Sequence, residues 1–344
     1  MLKNITMKTI CLLLSLLPPP LLLAASKPVP IILDTDIGTD VDDAYALVLA
    51  ARSPQLDLRA VTTVYGNVAL RSAMTRRLLL MMGREKVLVA SGEGKPWDGK
   101  EIHWGGWEGK GVLVEGETVT GVSQNRASDL IGELLSRTEE KMVIISVGGL
   151  TNIAVALRKQ PSLQMKIERF VIMGGSVRPF VLEGSKIPEK LETNLHHDVE
   201  AAALVLQSGV PITLVPAEVT FQAKLFLKDF DRIRNASSPL ARSMSYMTQD
   251  FGSRLKIFMK SFGVDQYYAD MATLLHDPLA VYTLVDPSMM KTERVKIRIE
   301  TGAETIRTIE DQRGTIAIDL VTEVDAPRFS KVVADRVLEE RNAK

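Results

Sequence analysis

The sequence predicts an α/β protein built on an open, mostly parallel, Rossmann-like sheet covered by helices on both faces. Three observations carry this. Short apolar runs alternate with helix-length amphipathic stretches over most of the 344 residues. The apolar runs are continuous rather than alternating, as in strands buried on both sides. Acid-rich or glycine-rich loops follow several of them, at the strand ends where open α/β sheets hold ligands. Charge is balanced, 42 basic against 42 acidic residues. That argues against a nucleic-acid binder working through a basic face.

Taken in order, residues 1–26 read as a secretory signal. Lys3 and Lys8 precede the apolar run Ile10–Leu17, three prolines and the small residues Ala24, Ala25 and Ser26. The prolines disfavour a persistent membrane-spanning helix. Export to the periplasm or outside the cell, with no membrane contact after cleavage, is the expectation. The single cysteine, Cys11, lies in this segment, and its removal with Lys3 and Lys8 leaves a net charge of about −2.

Strands are expected over Pro30–Asp34, Leu58–Val64, Val87–Ala90, Met142–Val147, Phe170–Met173 and Pro211–Val215. Helices are expected near Asp43–Ala51, Ala69–Met82, Arg126–Arg137, Asn152–Arg158 and Val199–Gln207, joined by right-handed crossovers. A helical insertion over about 222–265 follows, with its long helix near Leu240–Phe262. Two further strand-like runs, Arg294–Ile299 and Thr315–Val321, precede a final helix, Pro327–Glu340. No repeat or linker divides residues 27–344, so one domain is expected.

Two long loops break the alternation. Ser91–Gly111 holds seven glycines, His103 and all three tryptophans, Trp97, Trp104 and Trp107. A loop of that length in a compact domain is usually functional or mobile. The tryptophans are either loop anchors or stacking plates for an aromatic ligand. The second loop, Gly174–His197, ends in Glu192-Thr-Asn-Leu-His-His-Asp198; His196 and His197 read as surface groups beside the cap Asp198.

The chemistry centres on the turn after the first strand, where Asp34, Asp36, Asp40, Asp42 and Asp43 fall within ten positions. One or two such residues would be helix caps. Five like charges against an apolar strand repel one another unless a cation sits among them, and a hard oxygen-seeking ion, Ca²⁺ or Mg²⁺, suits them. An EF-hand is excluded, because the twelfth position counted from Asp34 is Tyr45 rather than glutamate. An Asp-nucleophile phosphatase is the main rival, from Asp34-x-Asp36, although Gly38 stands where such enzymes carry Thr or Val. The distant His276-Asp277-Pro278 is a helix cap on its own; beside the acidic loop, Asp277 offers a third carboxylate.

With these motifs assembled, the chain resembles the inosine–uridine-preferring nucleoside hydrolases. The marks, in order, are Asp34–Asp43, Gly66-Asn67, Gly148–Asn152, Met173–Gly175, Glu192-Thr-Asn194 and His276-Asp-Pro278. The resemblance implies the nucleoside hydrolase fold and a Ca²⁺-dependent cleavage of the N-glycosidic bond of a small-molecule ribonucleoside or ribosyl compound. It implies Ca²⁺ held by Asp36, Asp43, Asp277 and the backbone carbonyl of Val147, with Asp36 also the general base on a metal-bound water. Asp42, Asn67, Glu192 and Asn194 would contact the sugar, and His276 or His103 would protonate the leaving base. A homodimer or homotetramer is the corresponding assembly.

Three departures bear on these roles. The acidic loop is two residues longer than the common pattern, so either Asp40 or Asp42 meets the ribose. Thr193 replaces an aromatic residue. Ser185, within Gly184-Ser185-Lys186, stands where an asparagine would meet the 5′-hydroxyl; Lys186 there would suit a substrate with an acidic 5′-extension. A non-catalytic exported protein that binds nucleosides or sugars is the remaining alternative.

Overall fold

The computed structural model describes residues 27–182, 184–186, 192–260 and 269–340, with the backbone alone for Ser185 and Phe258. The expected signal, residues 1–26, lies outside the described residues, as does the end of the expected insertion, 261–265. In chain order the first half comprises β1 (Val29–Thr35), α1 (Asp42–Arg52), β2 (Leu56–Thr63), α2 (Val68–Met81), β3 (Leu88–Ser91), α3 (Ala127–Arg137), β4 (Met142–Ser146), α4 (Thr151–Lys159) and β5 (Ile167–Met173). A two-residue hairpin follows, β6 (Val181–Leu182) and β7 (Ser185–Lys186). Then come α5 (Asn194–His197), α6 (Val199–Leu206), β8 (Ile212–Val215) and α7 (Ala217–Thr220). The expected helical stretch contains β9 (Lys224–Phe226), α8 (Leu227–Arg234) and α9 (Pro239–Lys260). The chain closes with β10 (Met271–Leu274), α10 (His276–Tyr282), β11 (Met290–Thr301), β12 (Ile306–Glu310), β13 (Ile316–Val324) and α11 (Ala326–Leu338).

Nine strands form one sheet in the order β12-β11-β13-β8-β5-β4-β1-β2-β3. From β13 to β3 all neighbours are parallel, while β11 and β12 run antiparallel at one edge. The mostly parallel sheet is therefore as expected. The edge strand β12 was not: its five residues alternate buried Ile306 and Thr308 with exposed Arg307, a weaker signal than a continuous apolar run. Strand order proceeds from β1 outward through β2 and β3, and from β4 in the other direction through β5 and β8. The order reverses between β1 and β4, so the crevice beyond their C-terminal ends is the switch point where such sheets bind ligands.

The sheet separates two apolar cores because successive strand residues face opposite sides. Ile31 and Leu33 of β1 join one with Leu47, Val281 and Phe329. Ile32 joins the other with Ile144, Leu150 and Phe170. α1 is buried from Asp42 to Ala51, wedged against α10 and α11. Each fully buried Leu of α1 contributes about 1.5–3 kcal/mol, which fixes the helix whose first residues are the acids of the site. Among the described residues, no helix is long and apolar enough to cross a membrane.

Candidate functional site

A cavity of about 520 Å³ opens above the C-terminal ends of β1 and β4. Its floor is acidic. Asp42 and Asp43 open α1 and Asp277 lies in the first turn of α10. Packing of these two helices brings one carboxylate oxygen from each residue within 4.8 Å of the others, all three residues being buried. The Asp277 backbone N–H donates to Asp42 Oδ2 at 3.2 Å, and Thr35 Oγ1 donates to Asp43 Oδ1. Burial, opposed by backbone N–H donors, pushes the Asp42 carboxyl up to about 6. Burial first, then the neighbouring carboxylates, pushes Asp43 and Asp277 well above the usual range. Three buried oxygen donors that repel one another are the donor set of a hard divalent cation. The residues fit such an ion.

Asp36 lines the same cavity and its charge is felt by Asp42, Asp43 and Asp277. The trio of close carboxylates nevertheless contains Asp42 where the resemblance placed Asp36. The reason is local: Asp36 sits in the loop past β1, whereas Asp42 rides on the rigid start of α1. Gly148 makes room for Asp36, since a Cβ there would lie 2.9 Å from both its backbone N and its Oδ1. Gly38, at φ +117°, turns the loop in a conformation that side chains rarely adopt. Asp40, two residues before Asp42, lines the cavity from an exposed position.

Asp34 has a structural place. It is fully buried, accepts from Thr62 Oγ1 and from Asn152 Nδ2 (2.8 Å), and burial raises its carboxyl to about 7. A phosphatase nucleophile would have to face substrate, which Asp34 does not.

Arg71 is the residue that sequence reasoning missed most. Only 1% exposed, it donates from Nε to Tyr65 O (2.8 Å), from Nη1 to Asp36 O and to Ile37 O (2.7 Å), and from Nη2 to Thr39 Oγ1 (2.9 Å). It thus holds the backbone of the acidic loop and supplies a positive charge beside Asp43. No local pattern in α2 singles it out, because the partners are carbonyls from two other loops.

Glu192, Asn194, His276 and His103 all line the cavity. Glu192 accepts from Leu195 N (3.0 Å) and meets His196 Nδ1 (3.1 Å). Asn194 donates from Nδ2 to Val147 O (3.0 Å) and Met173 O (3.1 Å), so the Val147 carbonyl expected to face a metal is engaged with it. His276 pairs through Nδ1 with Thr220 Oγ1 at 2.7 Å and stands edge-on to Phe221. Burial pushes its imidazole down to about 4, so it is neutral near pH 7. His103 is exposed on its loop, 6.0 Å ring to ring from Trp107.

One expected sugar contact stands elsewhere. Asn67 is exposed, lies outside the cavity lining, and caps α2 by accepting from Leu70 N at 3.0 Å. Its side-chain oxygen is spent on the helix end. Ser185 forms β7 with Lys186, its side chain lying outside what is described; Lys186 is exposed and does not line the cavity. His197, by contrast, was read as a surface group and lines the cavity, edge-on to Tyr65 at 5.4 Å. It is three residues after Asn194 on the single turn α5, a spacing that puts both on one face.

Each tryptophan carries an arginine: Arg158 over Trp97, Arg71 over Trp104 and Arg254 over Trp107, at 5.1, 5.1 and 4.2 Å. Trp107 also donates to Thr39 O at 2.8 Å. These contacts make the tryptophans anchors of the loop, and only Trp107 lines the cavity.

The profile of the inosine-uridine preferring nucleoside hydrolases matches residues 31–331. A pyrimidine-specific ribonucleoside hydrolase, RihA of Escherichia coli O1:K1 / APEC, is 31% identical over 324 residues, 90% of this chain and 98% of the relative. Among solved structures, a purine-preferring ribonucleoside hydrolase from Gardnerella vaginalis superposes with a TM-score of 0.76 at 26% identity, over 90% of this chain and 98% of that one. The plant nucleoside hydrolase PpNRh1 shares the fold, with a TM-score of 0.77 at 24% identity, over 91% of this chain and 100% of that one.

Proposed function

The chain belongs to the inosine-uridine preferring nucleoside hydrolase family, enzymes that hydrolyse the N-glycosyl bond of ribonucleosides, and from that premise we propose a Ca²⁺-dependent reaction with Asp36 as general base. The observation that carries the reading is the convergence of Asp42, Asp43 and Asp277 from two helix starts. These three would hold the ion, which when bound neutralises their charge and binds the vicinal hydroxyls of the ribose. Asp36, in the loop beside them, takes a proton from the attacking water. Orientation of the sugar falls to Asn194, whose amide is locked by two carbonyls, and to the buried Glu192. Both residues line the cavity, and the negative charge of Glu192 and the amide dipole of Asn194 would favour the positive charge of an oxocarbenium-like transition state. His276, neutral in the resting enzyme, donates a hydrogen bond to the departing base and stabilises the negative charge that develops on it, the proton then coming from solvent.

The test is release of reducing sugar from a ribonucleoside panel, with and without chelator, on the wild type and Asp277→Asn. Chelation should abolish turnover and added Ca²⁺ restore it, while Asp277→Asn should need far more Ca²⁺. Binding of nucleosides without sugar release would favour a binding protein. Phosphate release from monoesters with inert nucleosides would favour the phosphatase.

A further inference from the structure

We propose that His197 binds the 5′-hydroxyl of the substrate, donating to it from Nε2 and so selecting ribosides that carry that hydroxyl. The inference rests on the ribonucleoside reading above and deepens it. His197 lines the cavity and ends α5, the turn that Asn194 begins. Three positions apart, the two side chains share a face. The charges that act most on its imidazole are those of Asp36 and Glu192. It therefore stands among the groups that orient the sugar. With the vicinal pair held by the cation, the 5′-hydroxyl is the hydroxyl of a ribonucleoside that remains for a further donor.

The residue is held firmly, yet nothing that holds it uses the ring nitrogens. Its backbone N–H donates to Thr193 O at 2.7 Å, and the next residue, Asp198, caps α6 by accepting from Ala201 N at 3.0 Å. Tyr65 packs edge-on against the imidazole and is itself fixed. Its hydroxyl bonds to Thr151 Oγ1 at 2.7 Å, and Gly149 leaves room for its ring, since a Cβ there would lie 2.2 Å away. Its backbone φ of 63° is uncommon for a bulky residue and persists only where the surroundings over-determine it. Nδ1 of His197 is shut off from solvent, with no hydrogen-bond partner among the described residues. Burial lowers the imidazole against the opposing pull of Asp36 and Glu192, so the ring is neutral near pH 7. A neutral imidazole carries one N–H, and a proton on Nδ1 would be a buried donor without an acceptor, which is costly. The proton therefore sits on Nε2, which no described residue engages and which is left to donate to a ligand.

The experiment is kcat and KM for the Ca²⁺-loaded full chain on uridine, inosine and their 5′-deoxy and 2′-deoxy forms, with wild type, His197→Phe and His197→Gln. Wild type should prefer each ribonucleoside to its 5′-deoxy form by at least about fivefold in kcat/KM, the value of one neutral hydrogen bond. His197→Phe keeps a ring against Tyr65 but has no donor. It should cut that preference by about the same factor, mostly through KM, and leave the preference over the 2′-deoxy form as it was. His197→Gln, whose amide reaches about as far as Nε2, should recover part of the lost preference. Equal kcat/KM on a ribonucleoside and its 5′-deoxy form in wild type would overturn the inference. So would an equal loss on every form in both variants, because the ring would then only pack against Tyr65. A change confined to the 2′-deoxy comparison would overturn it as well. Turnover of no ribonucleoside by wild type would remove the ribonucleoside reading, and this inference with it.

Discussion

Replacing Arg71 with methionine should unfold the active-site loop before it touches the sheet. The guanidinium makes four hydrogen bonds, three to the carbonyls of Tyr65, Asp36 and Ile37 and one to Thr39. A hydrogen bond from a charged donor has a net value of about 1.5–3 kcal/mol. Desolvating the guanidinium cancels much of that sum, but the buried acceptors left without donors carry their own penalty. Removing one partner of a buried charge network typically costs about 3–5 kcal/mol, and the stack on Trp104 is lost as well. A loss of about 4 kcal/mol is therefore expected, read as a lower urea midpoint with an unchanged slope. At about 2–4 °C per kcal/mol, thermal unfolding should shift down by roughly 10 °C. A variant within about 1 kcal/mol of wild type would mean that the loop is held by something else.

Other consequences follow from the same geometry. In the cation-free protein, Asp34 and Asp42 have folded values of about 7 and about 6 against an ordinary 3.8. Raised carboxyls stabilise the fold fully at low pH and lose that contribution as pH climbs from about 4 to 7, at most ~4 kcal/mol for Asp34 at 1.36 kcal/mol per unit. Thermal scans with chelator should therefore show a melting point falling between pH 5 and pH 8; a flat profile would contradict the burial argument. Asn67→Ala removes a helix cap and should cost about 1 kcal/mol in denaturant unfolding; lost activity at unchanged stability would instead restore Asn67 as a sugar contact. Asp36→Asn should lower kcat by at least about a hundredfold while Ca²⁺ titrations change less than for Asp277→Asn; unaltered kcat would place the base elsewhere.

The layering and the strands of the parallel sheet could be read because a doubly covered strand leaves a continuous apolar run. So could the cluster of acids, since a carboxylate-rich turn after such a strand has few other uses. The division of labour among Asp36, Asp40, Asp42 and Asp43 was less visible, as it depends on where the loop ends and α1 begins. The tertiary supports were least legible. Arg71 reaches the acidic loop from 35 positions beyond Asp36, and His197 enters the cavity only because α5 turns once. Asn67 shows the reverse: a residue implied by a motif is drawn off by the nearest helix end.

The most direct measurement is an anomalous difference map from crystals grown with Ca²⁺. A single peak about 2.3–2.6 Å from oxygens of Asp42, Asp43 and Asp277 together is the expected result. A Ca²⁺ peak elsewhere, or none, with the three side chains sharing protons among themselves, would contradict a cation at the heart of this site.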